Sequence, residues 1–192
     1  HKAWSILSDL RHRGVGIVAL QETSYFDFER PSVIRLGWRG IHSTCKRAAI
    51  IFKSSWSKDV AKTISKDRMC MVVLRSGVCF TSVYIKDSNY VDAVGACRKL
   101  LGTIRTEFRN AARWYDETYK AGRLRLIVGC DANVEVTADL PGVTGSAVCG
   151  RTESRGYRDD DENGKWRDDA MRDLFEEFLK EEGLKAVNTF AE

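Results

Sequence analysis

Glu22 and Asp131 each stand just beyond an apolar run, and two carboxylates delivered in that way could share a cation. The first run is Gly16-Ile17-Val18-Ala19-Leu20, which passes into Gln21-Glu22-Thr23; the second is Leu126-Ile127-Val128-Gly129-Cys130, which passes into Asp131-Ala132-Asn133. Both runs have strand length and end abruptly in acidic and amide side chains. They read as buried strands that carry polar groups to one rim of a sheet, the place where open α/β folds bind ligands. A Glu and an Asp at such a rim make an oxygen-rich site suited to a hard divalent cation, Mg²⁺ above all. The chemistry expected is metal-assisted hydrolysis. Asn133, two residues beyond Asp131, falls on the same side of an extended segment and adds an amide donor.

Those residues need elements to hold them. Trp4, Ile6, Leu7 and Leu10 have helical spacing, with a stop expected near Gly14 and a strand over residues 17–20. Residues 48–52 read as a second strand. Residues 69–74 and 78–85 alternate around Arg75-Ser76-Gly77 and predict an antiparallel hairpin. Val94, Cys97, Leu101, Ile104, Phe108 and Ala111 recur at helical intervals, so a long helix is expected over residues 90–115, after the capping-competent Asp87-Ser88-Asn89. It returns the chain to a strand at 124–128. Residues 150–166 are strongly charged and read as a surface loop, and an amphipathic helix follows over 171–179. Helices covering a mixed sheet is the architecture these elements build.

Leu20-Gln21-Glu22-Thr23 and Gly129-Cys130-Asp131-Ala132-Asn133 resemble two signature segments of the endonuclease/exonuclease/phosphatase superfamily, in the order and at the separation that family shows. Between them Arg47-Ala48-Ala49-Ile50-Ile51-Phe52 is similar to the family's next apolar strand, and Ser82-Val83-Tyr84-Ile85 to the strand that delivers its active-site Tyr. Glu181-Glu182-Gly183-Leu184-Lys185-Ala186-Val187-Asn188-Thr189-Phe190 resembles the helix-to-strand passage of LINE-type retrotransposon endonucleases. The resemblance implies an α/β fold, a DNase I-like sandwich of two mixed β-sheets flanked by helices, with residues 1–192 forming one partial domain. It implies that Glu22 binds Mg²⁺, that Asp131 aligns the attacking water, that Asn133 donates to a non-bridging oxygen and that Tyr84 sets a phenolic hydroxyl near the scissile phosphate. The activity implied is Mg²⁺-dependent phosphodiester hydrolysis by a DNA endonuclease of retrotransposon type, with nucleic acid as partner and a reverse-transcriptase region in the full-length protein.

The same resemblance sets two further expectations. The family's first strand, ending in an active-site Asn, and its closing Ser-Asp-His segment with the remaining C-terminal strands have no counterpart here, and His1, His12 and His42 lie in other contexts. The chain is therefore expected to be an interior fragment with impaired hydrolysis. The alternative is a non-catalytic relic that keeps the fold and binds nucleic acid or protein. Ile85-Lys86 stands where the family often has Ala-Pro, and Lys46-Arg47 where it commonly has small residues.

Composition is consistent with a globular α/β chain of 192 residues, 43% hydrophobic and 30% charged, long enough for a sizeable core. A net charge of +4 hides an uneven distribution. Residues 35–75 carry ten Lys/Arg against two Asp/Glu, residues 98–125 eight against three, and residues 132–192 reverse the sign. The basic stretches are candidates for neutralising phosphates. Six cysteines lack any Cys-x-x-Cys pairing and do not cluster with His, which argues against zinc and for buried free thiols. A soluble protein of the nucleus or cytoplasm is expected.

Overall fold

The computed structural model describes residues 2–24, 27–86, 91–120, 122–132, 143 and 162–185. The chain divides into two compact units, one of residues 1–84 and 106–131, the other of residues 85–105 and 132–192.

The first unit holds two sheets. Helix α1 (Lys2–His12) leads to β1 (Ile17–Gln21), a short helix α2 (Pro31–Arg35), β2 (Trp38–His42) and β3 (Ala48–Lys53). These strands form an antiparallel sheet in the order β1-β3-β2. A 3₁₀ turn (Ser54–Lys58) then leads to β4 (Val60–Ser65), β5 (Met69–Leu74) and β6 (Val78–Tyr84). Helix α3 (Ala93–Tyr119) carries the chain back to β7 (Arg125–Asp131), which pairs parallel with β6 and completes a mixed sheet β4-β5-β6-β7. The hairpin expected around Arg75-Ser76-Gly77 forms as read, with Gly77 at a φ of 81° that its missing Cβ permits.

Burial explains the layering. In β3 every residue from Ala48 to Phe52 is buried, so both of its faces are covered. Ala49 and Ile51 pack with Leu7 of α1, Phe28, Val33 of α2 and Trp38, while Ile50 and Phe52 face Cys70, Val72 and Leu74 of β5. The period of two along a strand thus sends alternate residues of one run into two cores. The Trp38 indole N–H, wholly buried, donates to the Leu7 carbonyl at 3.2 Å and fixes α1 against the sheet. The far half of α3 is tied to the four-stranded sheet by Tyr115, whose hydroxyl donates to the Arg75 carbonyl at 2.7 Å, and by Lys66 and Glu107 at 2.8 Å.

The second unit is helical in its described part. Residues 93–105 of α3 bury Ala93, Cys97, Leu100, Leu101 and Ile104, and α4 (Glu162–Glu181) buries Met171, Phe175, Phe178 and Leu179. Arg105 pairs with Glu181 and Glu182 and lies over the Phe178 ring. Two expectations need correction here. Within the loop read over 150–166, residues 162–166 are helix, the opening of α4, and residues 150–161 lie outside the described residues. The long helix begins at Ala93, later than residue 90, and the cap read at Asp87-Ser88-Asn89 lies outside the described residues. Of the passage Glu181–Phe190, residues 186–190 also lie outside them.

Among the described residues no helix is long and apolar enough to cross a membrane. The described cysteines Cys45, Cys70, Cys79, Cys97 and Cys130 are all free thiols. Burial pushes the Cys70 thiol up to about 12 and those of Cys79 and Cys97 up to about 11, which keeps all three protonated and unreactive.

Candidate functional site

The site lies in the first unit, where β1, β6 and β7 end together. Its floor is a close approach between the sheets. A Cβ built on Gly129 would sit 2.3 Å from the Ala19 Cβ, so only glycine lets β7 come this near β1. Beside this contact Ser82 of β6, wholly buried, donates its hydroxyl to the Leu20 carbonyl at 2.9 Å. The Gln21 amide reaches back to the Gly129 carbonyl at 3.1 Å and the Ser82 oxygen at 3.3 Å. Strand ends from both sheets are therefore stitched by side chains whose polar groups satisfy one another.

Register then decides what stands above the floor. Ser82 pairs with Gly129, and two residues further on Tyr84 pairs with Asp131. Alternation places Tyr84 on the face of Ser82 and Asp131 on the face of Gly129, both toward β1. Glu22 follows β1 with a φ of 55°, a left-handed conformation uncommon for a residue with a Cβ. That turn brings its carboxylate to the phenol. The Tyr84 hydroxyl faces Glu22 Oε1 at 3.5 Å, a loose contact of the kind that tightens around a bound ligand. Arg47, just before β3, lies over the Tyr84 ring with its guanidinium carbon 6.0 Å from the centroid.

This environment holds the Tyr84 phenol above its ordinary range. Desolvation is the main cause; the negative charge of Glu22 adds to it, Arg47 opposes it, and Asp131 pushes the same way as Glu22. A raised phenol stays protonated through neutral pH. Tyr84 is thus a hydrogen-bond donor there and not a base.

Next to Glu22, Thr23 is buried and donates to the Lys46 carbonyl at 3.0 Å, with the His42 Nδ1 at 3.5 Å from the same hydroxyl. Phe28 stacks on His42 at a centroid separation of 4.2 Å. The turn carrying Glu22 is held from behind by these groups.

Glu22, Tyr84 and Asp131, singled out in the sequence, come together at this rim. Asn133 lies outside the described residues. Sequence reasoning missed the parts played by Gln21, Ser82 and Arg47. Gln21 and Ser82 were visible as polar residues inside strand patterns, and that is the signal that marks an inter-sheet stitch; the position of Arg47 over the ring had no sequence signal.

The donors at the rim are oxygens from two carboxylates and a phenol. Among the described residues there is no group of three or more His, Cys, Asp or Glu side chains that could hold a metal. A two-carboxylate set suits Mg²⁺, which commonly takes one or two carboxylates and keeps waters or phosphate oxygens for the rest, and it does not suit zinc.

No family model matches the chain, and no curated protein matches it in sequence. Among solved structures, the chain is similar to an AP endonuclease from Archaeoglobus fulgidus at 15% identity and a TM-score of 0.53, over 91% of this chain and 63% of that one. It also matches ANGEL2, a 2',3'-cyclic phosphatase, at 18% identity and a TM-score of 0.48, over 80% of this chain and 52% of the other. The chain therefore spans less than two thirds of either protein. The first likeness, the two sheets and their flanking helices give the fold: an α/β sandwich of the DNase I-like type.

Proposed function

We propose that residues 1–192 are one partial endonuclease/exonuclease/phosphatase domain whose activity is Mg²⁺-dependent phosphodiester hydrolysis, as a DNA endonuclease of the LINE retrotransposon kind. The observation that carries this reading is the convergence of Glu22, Tyr84 and Asp131 above a glycine-dependent contact between the sheets. In it Glu22 would hold Mg²⁺, and the ion would supply polarisation of a phosphate oxygen. Asp131 orients the attacking water, and the protonated Tyr84 hydroxyl donates to an oxygen of the phosphate as charge builds there. Asn133 supplies an amide to a non-bridging oxygen. The AP endonuclease among the structural neighbours supports a nucleic-acid substrate. The reading extends to a reverse-transcriptase region in the same protein and to a reducing compartment, nucleus or cytoplasm, which the free buried thiols favour.

Nicking of supercoiled plasmid tests it. The expected outcome is conversion to open circles with Mg²⁺, none with EDTA, and a loss of about 10²-fold or more in Glu22→Ala and in Asp131→Ala, given the usual contribution of a positioned acid-base group. Nicking that survives both substitutions, or that ignores EDTA, would sink the assignment. Silence from a folded protein would turn the reading to a relic that binds without cutting.

A further inference from the structure

Two turns meet beside the rim, and their cations are treated differently. The β2–β3 turn (residues 43–47) is zipped to the β4–β5 turn (residues 66–68): the Thr44 N–H donates to the Lys66 carbonyl at 2.8 Å and the Cys45 N–H to the Asp67 carbonyl at 3.0 Å. The Ser43 hydroxyl accepts from the Ala48 N–H at 3.0 Å, its carbonyl accepts from the Lys46 N–H at 2.9 Å, and the Lys46 carbonyl is taken by Thr23. The other turn is joined to the site strand, since the Tyr84 N–H donates to the Arg68 carbonyl at 3.0 Å. The backbone of this ledge is bonded at each of these points.

Its side chains divide. Lys66 is paired with Glu107 and Arg68 with Asp67. Lys46 and Arg47 are exposed, and among the described residues neither makes an ion pair. This holds although β1–β3 pairing ends at Gln21 opposite Ala48, so that Arg47 and Glu22 follow on from paired positions. Arg47 instead has its guanidinium carbon over the Tyr84 ring, 6.0 Å from the centroid, in a cation–π placement beside the rim. Lys46 is held at a φ of 58°, a left-handed conformation uncommon for a residue with a Cβ. Two cations without an ion pair among the described residues, on a bonded backbone next to Tyr84, form a preorganised anion contact.

We infer that Lys46 and Arg47 bind backbone phosphates of a nucleic acid flanking the one held at Glu22, Tyr84 and Asp131. The inference rests on the hydrolase reading for its substrate class, and phosphate neutralisation by this turn sets where along the strand the rim engages. Each contact contributes affinity through counterion release, independent of sequence.

The test is binding of a short fluorescein-labelled DNA duplex by anisotropy, in EDTA and in the Glu22→Gln background, so that no cleavage intervenes. Between about 50 and 200 mM salt the slope of log K against log salt is expected to fall by about 1 for Lys46→Gln and for Arg47→Gln, and by about 2 for the double variant. Arg47→Lys should keep most of the slope. Arg125→Gln, an exposed cation at the opposite end of β7, should leave it unchanged. Equal losses at Arg125 and at the ledge would reduce the effect to net charge and overturn the inference, as would an unchanged slope in the double variant. A lowered slope in a protein that never nicks plasmid supports the ledge and removes only the hydrolase reading; nicking with an unchanged slope removes only the ledge.

Discussion

The floor of the site and its rim are two residues apart on the same strands, and they are built on opposite rules. At the floor Gly129 touches Ala19, and Ser82 and Gln21 satisfy each other and the facing backbone within 3.3 Å. At the rim Glu22 sits in a strained conformation, the Tyr84 hydroxyl stands 3.5 Å from its nearest acceptor, and Lys46 and Arg47 are exposed cations. Packing is close where no ligand goes, and polar capacity is left unspent where one could. One pleat repeat separates stability from chemistry.

That contrast can be broken most severely from below. Gly129→Ala places a methyl group 2.3 Å from the Ala19 Cβ, so the sheets must move apart and the floor bonds lengthen. Overpacking of this kind costs about 1–3 kcal/mol, and each kcal/mol lowers Tm by about 2–4 °C for a chain of this size. Adding Ala19→Gly should restore much of the loss in a thermal melt. If Gly129→Ala melts like the parent chain, the close approach is not what sets the floor.

A change at the rim sharpens the contrast, because it should leave the melt almost untouched. Tyr84→Phe is expected to shift stability by less than about 0.5 kcal/mol, as substitutions away from packed or buried groups do. Its signature is in titration. The Tyr84 phenol is raised by desolvation and by Glu22, so it ionises above the usual phenol range, near 10. Any stability linked to this group is fully present below that unfolded value and is lost as pH rises through the higher folded one. The difference in ultraviolet absorbance between parent and Tyr84→Phe should show a phenol that titrates late, and Glu22→Gln should bring it earlier. A Tyr84 that titrates with ordinary tyrosines would contradict the crowded rim.

How much of this was legible in the sequence follows the same division. β1, β3, the β5–β6 hairpin and β7 were readable because each is an apolar run, and long runs have few other uses. β2 and β4 were missed: Trp38-Arg39-Gly40-Ile41-His42 and Val60-Ala61-Lys62-Thr63-Ile64-Ser65 mix charged, glycine and polar residues with the apolar ones, so neither shows a continuous apolar run. The short α2 had no period to show. Glu22 and Asp131 were singled out because polar residues end apolar runs there, and Tyr84 because Ser82-Val83-Tyr84-Ile85 resembles a strand of the superfamily. Ser82 was read only as part of the strand delivering Tyr84; a hydroxyl in a fully buried strand position signals a bond to a partner far along the chain, and here that partner is Leu20. Arg47 was beyond reach of the sequence, since its placement depends on the register between β1 and β3 and on the packing of one sheet on the other.

The parallel pairing of β6 with β7 also fixes an order of events during folding. The β5–β6 hairpin closes through a tight turn and can form from neighbouring residues alone, whereas β7 can dock only after the whole of α3 has folded back. Tyr84 is then in place well before Asp131 reaches it. Pulse-labelled hydrogen exchange should find the β5 and β6 amides protected ahead of those in β7, and simultaneous protection would dispute that sequence. A nascent or partly folded chain accordingly exposes the phenol without its second carboxylate, and among the described residues it is the docking of β7 that brings Asp131 to the rim.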